Sequence, residues 1–200
     1  HRGPDNEGSW GTDNVVLGHR RLSIIDLSAE GNQPFFSSDN RYVIVYNGEL
    51  YNYKDLKLEL QRSSQGSTEL PYFFKTNTDT EVVLAAVIRY GTKCLQLFNG
   101  MYAFAIYDTF EKKLTVARDR LGVKPLYYYY GDEGFIFSSE IRPIIHSKIK
   151  TFSLNKEVIA EYAMYQTVFA PNTIIKGIKM LLPRHYLEYQ NGKASIAEYY

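Results

Sequence analysis

Between Gly100 and Glu140 four runs that favour extended backbone follow one another with only short turns between them: "MYAFAIYD", "KLTVARD", "PLYYYYG" and "GFIFSSE". Aromatic and β-branched residues dominate these runs, and "GDEG" marks the turn between the last two. A parallel neighbour needs a crossover of a dozen or more residues, which these connections cannot supply. Antiparallel pairing follows. "NVVLGHRRLSIIDL" and "RYVIVY" add strands upstream, and "HYLEYQNGKASIAEYY" reads as a late hairpin on an Asn191-Gly192 turn.

Helical segments are fewer. "NTDTEVVLAAVIRYG" opens with a capping box from Thr78 to Glu81 and runs through a nearly all-apolar body to Gly91, the pattern of a buried helix over 79–90. "NYKDLKLELQR" also fits period two, but Asn52 as N-cap, Asp55 in the first turn and the lack of β-branched residues favour a helix. Segments 140–147 and 155–166 read as two more, and "GTKCLQLFNG" as a short apolar-faced one. Sheets covered by helices, an α+β layered body, are the expected architecture.

Composition bounds the function. Two hundred residues, 44% of them hydrophobic and 15% aromatic, can bury one sizeable core, so a single domain over 1–200 is expected. With 23 basic against 22 acidic residues, neither nucleic acid nor an anionic membrane surface is the expected partner. The apolar run Met101–Tyr107 is far short of the ~18 residues of a membrane span, and "HRGPDNEG" is not a signal peptide; a cytoplasmic location is expected. Cys94 is the only cysteine, and His1, His19, His146 and His185 lack metal-ligand spacing, so neither a disulfide nor a metal is expected.

"YVIVYNGELYNY" poses a sharper question. Asn-Gly after a β-like run signals a hairpin turn, yet the residues after Asn47-Gly48 do not alternate as a returning strand should. Hydrolysis of a side-chain amide by acyl transfer needs a nucleophile, a base, donors for the tetrahedral oxyanion and groups that hold the free end of the substrate. An asparagine side-chain N–H and a neighbouring backbone N–H can converge on one oxygen, and glycine lets the backbone approach closely.

Seven stretches occur in one order: "HRGPD", "HRRLSIIDLS", "QP", "NGELYNY", "TDTEVV", "NGMYAFAIYD" and "ARDRLGVKPLYY". Together they resemble the glutaminase domain of glutamine-dependent asparagine synthetases, over almost the whole chain. The resemblance implies the N-terminal nucleophile hydrolase fold, a four-layer αββα sandwich of two antiparallel sheets, here lacking its first strand. It implies hydrolysis of L-glutamine to glutamate, with ammonia passed to a C-terminal synthetase domain for ATP-dependent amidation of aspartate. ATP and Mg are then expected only in that domain, and no cofactor in this chain. Two alternatives stay open: the same domain serving another acceptor, or a non-catalytic interaction module.

By the same resemblance Asn47 and Gly48 form the oxyanion hole, Arg21 grips the α-carboxylate, Asp79 takes the α-ammonium and Glu49 adds a polar contact. Leu22, Ser23, Ile24 and Ile25, which continue the arginine's motif, complete the substrate-binding set. A planar guanidinium suits a carboxylate better than an ammonium does; Arg20 beside Arg21 leaves open which of the two faces the substrate. Cys94 lies outside the nucleophile's place in the motif order and is read as a buried structural thiol. Tyr127–Tyr130 should send two rings to each face of a strand, and Arg118, Asp119, Arg120 and Lys124, without a glycine-rich loop, are read as structural pairs.

One departure concerns the nucleophile. In the family it is a cysteine at the mature N-terminus whose α-amine can serve as base, and "HRGPD" lies downstream of it. The 200 residues are therefore expected not to hydrolyse glutamine by themselves. Loss of the first strand is expected to uncover apolar neighbours, with a homodimer as one way to cover them.

Overall fold

Every strand pairing among the described residues is antiparallel; the computed structural model describes residues 3–22, 28–62 and 71–200. β1 (Asn6–Gly11) and β2 (Val16–Arg21) form a two-stranded ribbon. β3 (Phe35–Phe36), β4 (Tyr42–Leu50), β5 (Gly100–Asp108) and β6 (Lys113–Arg118) join β10 (His185–Gln190) and β11 (Lys193–Glu198) in a sheet of order β11-β10-β6-β5-β4-β3. β7 (Tyr127–Gly131), β8 (Gly134–Ser138) and β9 (Ile178–Met180) form a third, of order β8-β7-β9.

Period-two alternation divides the six-stranded sheet into two buried faces. Ile44, Tyr46 and Leu50 of β4, with Tyr102, Phe104 and Ile106 of β5, pack on helices α1 (Tyr53–Gln61) and α2 (Asp79–Tyr90). Val43, Val45, Ala103, Ala105 and Tyr107 face the other way, toward Leu17 of β2 and Tyr128, Phe135 and Phe137 of the three-stranded sheet. On that sheet's far side Tyr129 and Ile178 pack with Ile144 of α3 (Ile141–His146). Helix, sheet, sheet and helix thus stack in four layers. A fourth helix, α4 (Ile159–Tyr165), buries none of its residues.

α2 carries the site's acidic residue and is held from nearly all sides. Val82, Val83, Leu84 and Ala86 are fully buried, and each Val or Leu contributes about 1.5–3 kcal/mol. Thr78 caps its first turn by accepting from the Glu81 N–H at 3.3 Å. The Glu81 carboxylate reaches back past the cap, to the Thr76 N–H at 2.7 Å and the Lys75 N–H at 2.9 Å. The helix start is therefore tied to the chain that enters it.

Several expectations change in detail. β1 was not anticipated, because "NEGSWG" holds two glycines and one large apolar side chain; its register with β2 makes it a strand. β2 ends at Arg21, and the rest of its expected run, Ser23–Leu27, lies outside the described residues, as does most of the polar loop after Arg62. Asn47-Gly48 is neither a turn nor a strand end, since β4 continues to Leu50 against β5. Asn52 holds the N-cap position of α1, but its side chain bridges to the Leu97 carbonyl and the Asn99 N–H instead of capping. Gly91–Gln96 is a 3-10 helix, and 156–158 is another ahead of α4. Tyr128 faces the second sheet while Tyr129 faces α3, the expected division of the tyrosine run.

Candidate active site

The site grows from a gap in sheet pairing. β3 matches only Val43 and Ile44 of β4, so among the described residues the rest of that edge has no strand beside it. Side chains take the strand's place. Gln33 accepts the Tyr46 N–H on Oε1 at 2.6 Å and donates Nε2–H to the Tyr46 carbonyl at 3.1 Å, as a neighbouring peptide would. His19 Nε2 lies 3.0 Å from the same carbonyl; a carbonyl only accepts, so this nitrogen carries the proton. Four residues on, the Leu50 N–H donates to Asp79 Oδ2 at 2.9 Å.

Gly48 lies between these two anchored amides. Its cross-strand partner Tyr102 turns its own peptide groups away: the Tyr102 N–H goes to Asp119 Oδ2 and its carbonyl accepts from the Asp119 N–H. Gly48 and Tyr102 are therefore a close, non-hydrogen-bonded pair, and alternation sends the Gly48 N–H out of the open edge. Proximity explains the glycine. A Cβ there would lie 2.4 Å from the Met101 carbonyl oxygen and 2.7 Å from the Tyr102 Cα.

Asn47 and Glu49 alternate onto the face that carries Val43 and Val45 and border the cleft between the layers. Arg21, at the end of β2, points inward and is buried, while Arg20 points outward and pairs with Glu7 at 2.8 Å. Both arginines border the cleft, Arg21 as its buried member and Arg20 from the exposed rim. Arg21 Nη1 donates to the Ser28 carbonyl at 2.7 Å and to Asn32 Oδ1 at 2.8 Å. A Cβ on Gly31 would meet Arg21 Nη2 at 2.5 Å and Thr78 Cγ2 at 2.9 Å, so the guanidinium lies against the start of α2.

Asp79, in the first turn of α2, is buried, and Oδ2 accepts from the Tyr46 hydroxyl at 3.0 Å as well as from Leu50. Burial raises its pKa above the usual carboxylate range, against the pull of these donors. Burial and the adjacent carboxylate push the Tyr46 hydroxyl well up, so it remains a donor. His19 is held below the ordinary histidine range by burial, which keeps it neutral at pH 7. Its Nδ1 is buried and accepts from no group among the described residues.

These residues border one cleft of about 1640 Å³, lined by Arg21, Leu22, Asn47, Gly48, Glu49 and Asp79. Ser23, Ile24 and Ile25 lie outside the described residues. The volume exceeds the ~300–1,000 Å³ of a small-ligand pocket. One end is the polar pocket just described; the other is an apolar gap lined by Leu17, Ala105, Phe135 and Phe137. Among the described residues β2 pairs only with β1 and β8 only with β7, and both border that gap.

Other candidates serve the fold. Cys94 is fully buried in the helix-side core, and burial pushes its thiol up to about 12. Arg118 donates to the carbonyls of Lys124, Leu181 and Gly122, and Asp119 accepts from the N–H groups of Tyr102, Leu121, Val123 and Lys124. Those two charges are structural, as expected, but they satisfy main-chain groups where side-chain pairs were anticipated. Among the described residues no three His, Cys, Asp or Glu side chains gather as a metal site, and no helix is long and apolar enough to cross a membrane.

Residues 1–200 match the glutamine amidotransferase domain family. The chain belongs to that family. It is 37% identical over 220 residues to a putative glutamine-hydrolysing asparagine synthetase 2 of Methanocaldococcus jannaschii, covering all of this chain and 41% of that protein. With asparagine synthetase 3 of Bacillus subtilis it shares 37% over 203 residues, all of this chain and 32% of the relative. A third relative, 36% identical over 190 residues, is amidase chry2 of Gibberella zeae; there 94% of this chain covers 26% of the protein. The chain thus spans well under half the length of these relatives. Glutamine phosphoribosylpyrophosphate amidotransferase from Bacillus subtilis superposes with a TM-score of 0.60 over 92% of this chain and 35% of that one, at 22% identity, a likeness of fold. The amidotransferase family domain is therefore built here as the N-terminal nucleophile sandwich.

Sequence reasoning passed over Gln33, Asn32, Gly31, His19 and Tyr46 as parts of the site. His19 and Gln33 stand inside the ordered motifs "HRRLSIIDLS" and "QP", while Gly31 and Asn32 lie just ahead of "QP" and Tyr46 just ahead of "NGELYNY". Their role depends on an edge left open by a two-residue strand, which no periodicity reveals.

Proposed function

We propose that this domain binds L-glutamine in the polar end of the cleft and hydrolyses its side-chain amide, releasing glutamate and ammonia. The observation that carries the reading is the Gly48 N–H, aimed out of an otherwise occupied strand edge beside an Asn47 side chain that no described residue engages. Two donors side by side at a cleft suit a tetrahedral oxyanion, and each is typically worth ~10²- to 10³-fold in rate. Arg21, already aimed by Asn32 and Ser28, takes the α-carboxylate. Asp79, in its ionised form, takes the α-ammonium, and Glu49 adds a polar contact.

The nucleophile comes from outside these 200 residues. Cys94 cannot serve, since it is fully buried among Leu95, Phe98 and Tyr102 in the helix-side core. The open edges of β2 and β8 and the apolar gap between them fit one extended segment of the parent chain. Such a segment ends its run at the polar pocket and delivers a thiolate to Asn47 and Gly48. By themselves the 200 residues release no ammonia from glutamine.

The relatives' greater length and names support a larger enzyme in which this domain supplies ammonia to a synthetase part that amidates aspartate. ATP and Mg then act in that part and not in the cleft described here. A relative named as an amidase keeps a different ammonia acceptor as the second reading. Steady-state ammonia release from L-glutamine by the parent chain tests the proposal. Arg21→Ala should raise KM about tenfold or more with little change in kcat, and Asn47→Ala should lower kcat ~10²-fold. A wild-type parent chain that leaves glutamine intact overturns it.

A further inference from the structure

We infer that the segment Gly31–Gln33 is a two-sided positioning device, in which Asn32 aims the substrate-gripping arginine while Gln33, with His19, aims the oxyanion donors. The inference rests on the glutaminase reading above. Neither Asn32 nor Gln33 borders the reacting atoms by way of its own functional group, because each spends that group on another site residue.

On one side, Asn32 Oδ1 accepts from Arg21 Nη1 at 2.8 Å, and Gly31 leaves room for Nη2 where any side chain would collide. On the other, Gln33 clamps both peptide groups of Tyr46 and also lies 3.4 Å from the Thr80 hydroxyl in α2. Tyr46 immediately precedes Asn47. Rotation of its peptide plane would turn the Gly48 N–H and swing the Asn47 side chain, and the open edge offers no strand to resist it. A buried amide and a neutral imidazole replace that strand.

His19 adds the second donor to the Tyr46 carbonyl through Nε2–H. A glutamine at position 19 can place an amide N–H near the position of imidazole Nε2, whereas an asparagine amide falls short of it. The conservative and disruptive variants are thereby defined in advance.

The device predicts separable kinetic effects, because the two sides serve different parts of the substrate. In the parent chain, Asn32→Ala should raise the KM for glutamine about tenfold and leave kcat within about twofold, the loss of one hydrogen bond to a charged group. Gln33→Met keeps side-chain length but neither hydrogen bond, and should lower kcat ~10²-fold with KM nearly unchanged, the usual cost of misplacing reacting groups by about an ångström. His19→Asn should behave like Gln33→Met to a smaller degree, and His19→Gln should recover most of the loss.

The experiment is steady-state ammonia release for wild type and the four variants, with hydrogen exchange measured on a peptide spanning 45–50. Faster exchange in Gln33→Met than in Asn32→Ala is expected. If the wild-type parent chain does not hydrolyse glutamine, the glutaminase reading fails and this inference with it. If wild type is active but the variants move kcat and KM together, or His19→Gln is no better than His19→Asn, the inference alone is overturned. Should Gln33→Met fail to fold, the His19 pair decides.

Discussion

Removing one hydroxyl at Tyr46 tests whether Asp79 is held ionised by the donors around it. In Tyr46→Phe the ring keeps its place against α2, while Asp79 Oδ2 loses its 3.0 Å donor and keeps the Leu50 N–H. Both partners are buried, at 4% and 5% exposure, so water cannot replace the hydroxyl freely. A hydrogen bond to a charged group contributes about 1.5–3 kcal/mol, and one pKa unit corresponds to about 1.36 kcal/mol. The Asp79 pKa, already raised by burial, should therefore rise further. The sign is fixed because the hydroxyl favours the ionised form.

A raised carboxylate pKa means that the folded protein holds the proton more tightly than the unfolded chain. The stability contributed by protonation is present below the unfolded pKa and is lost as pH rises through the folded one. In the variant that loss extends to higher pH. Binding of an ammonium needs the ionised form, so the acid limb of kcat/KM for glutamine should move upward with it. Carbon-13 titration of the Asp79 carboxyl, assigned with Asp79→Asn, measures the shift directly. An unchanged or lowered pKa in Tyr46→Phe would refute the reasoning.

The remaining predictions are shorter. Gly48→Ala forces a Cβ into the backbone of Met101 and Tyr102 and should cost about 1–3 kcal/mol; it should lower kcat far more than it raises KM, and an unchanged kcat removes the Gly48 N–H from the oxyanion site. Cys94→Ser puts a hydroxyl into the helix-side core, at about 1–3 kcal/mol, so the melting temperature should fall by several degrees while glutamine hydrolysis by the parent chain survives. The Cys94 thiol, raised to about 12, should resist a thiol reagent at pH 8 until the chain unfolds; rapid labelling of the native chain contradicts the burial.

The layers were legible because they rest on periodicity. "MYAFAIYD" and "RYVIVY" alternate between two apolar faces, and each face found its own core. The nearly all-apolar body of 79–90 announced a helix enclosed by protein, with Thr78 at its cap. β1 was illegible because "NEGSWG" carries no pattern by itself and becomes a strand only beside β2. Arg21, Asn47, Gly48, Glu49 and Asp79, named through the resemblance of their motifs, all border one cleft. The edge geometry could not be named in that way, since whether Tyr46 meets a strand or the Gln33 side chain depends on where β3 stops. The same limit applies to Asn52, whose side chain prefers the partners that folding brings from Leu97 and Asn99 to the helix it precedes.

The central claim concerns orientation: glutamine lies with its α-carboxylate on Arg21, its α-ammonium on Asp79 and its amide oxygen toward Asn47 and Gly48. A crystal structure of the parent chain, inactivated at its nucleophile and soaked with L-glutamine, tests it most directly. The account predicts the amide oxygen about 2.7–3.1 Å from the Gly48 nitrogen and from Asn47 Nδ2, with the carboxylate paired to the Arg21 guanidinium. Glutamine bound in reverse, or bound away from β4, would contradict it.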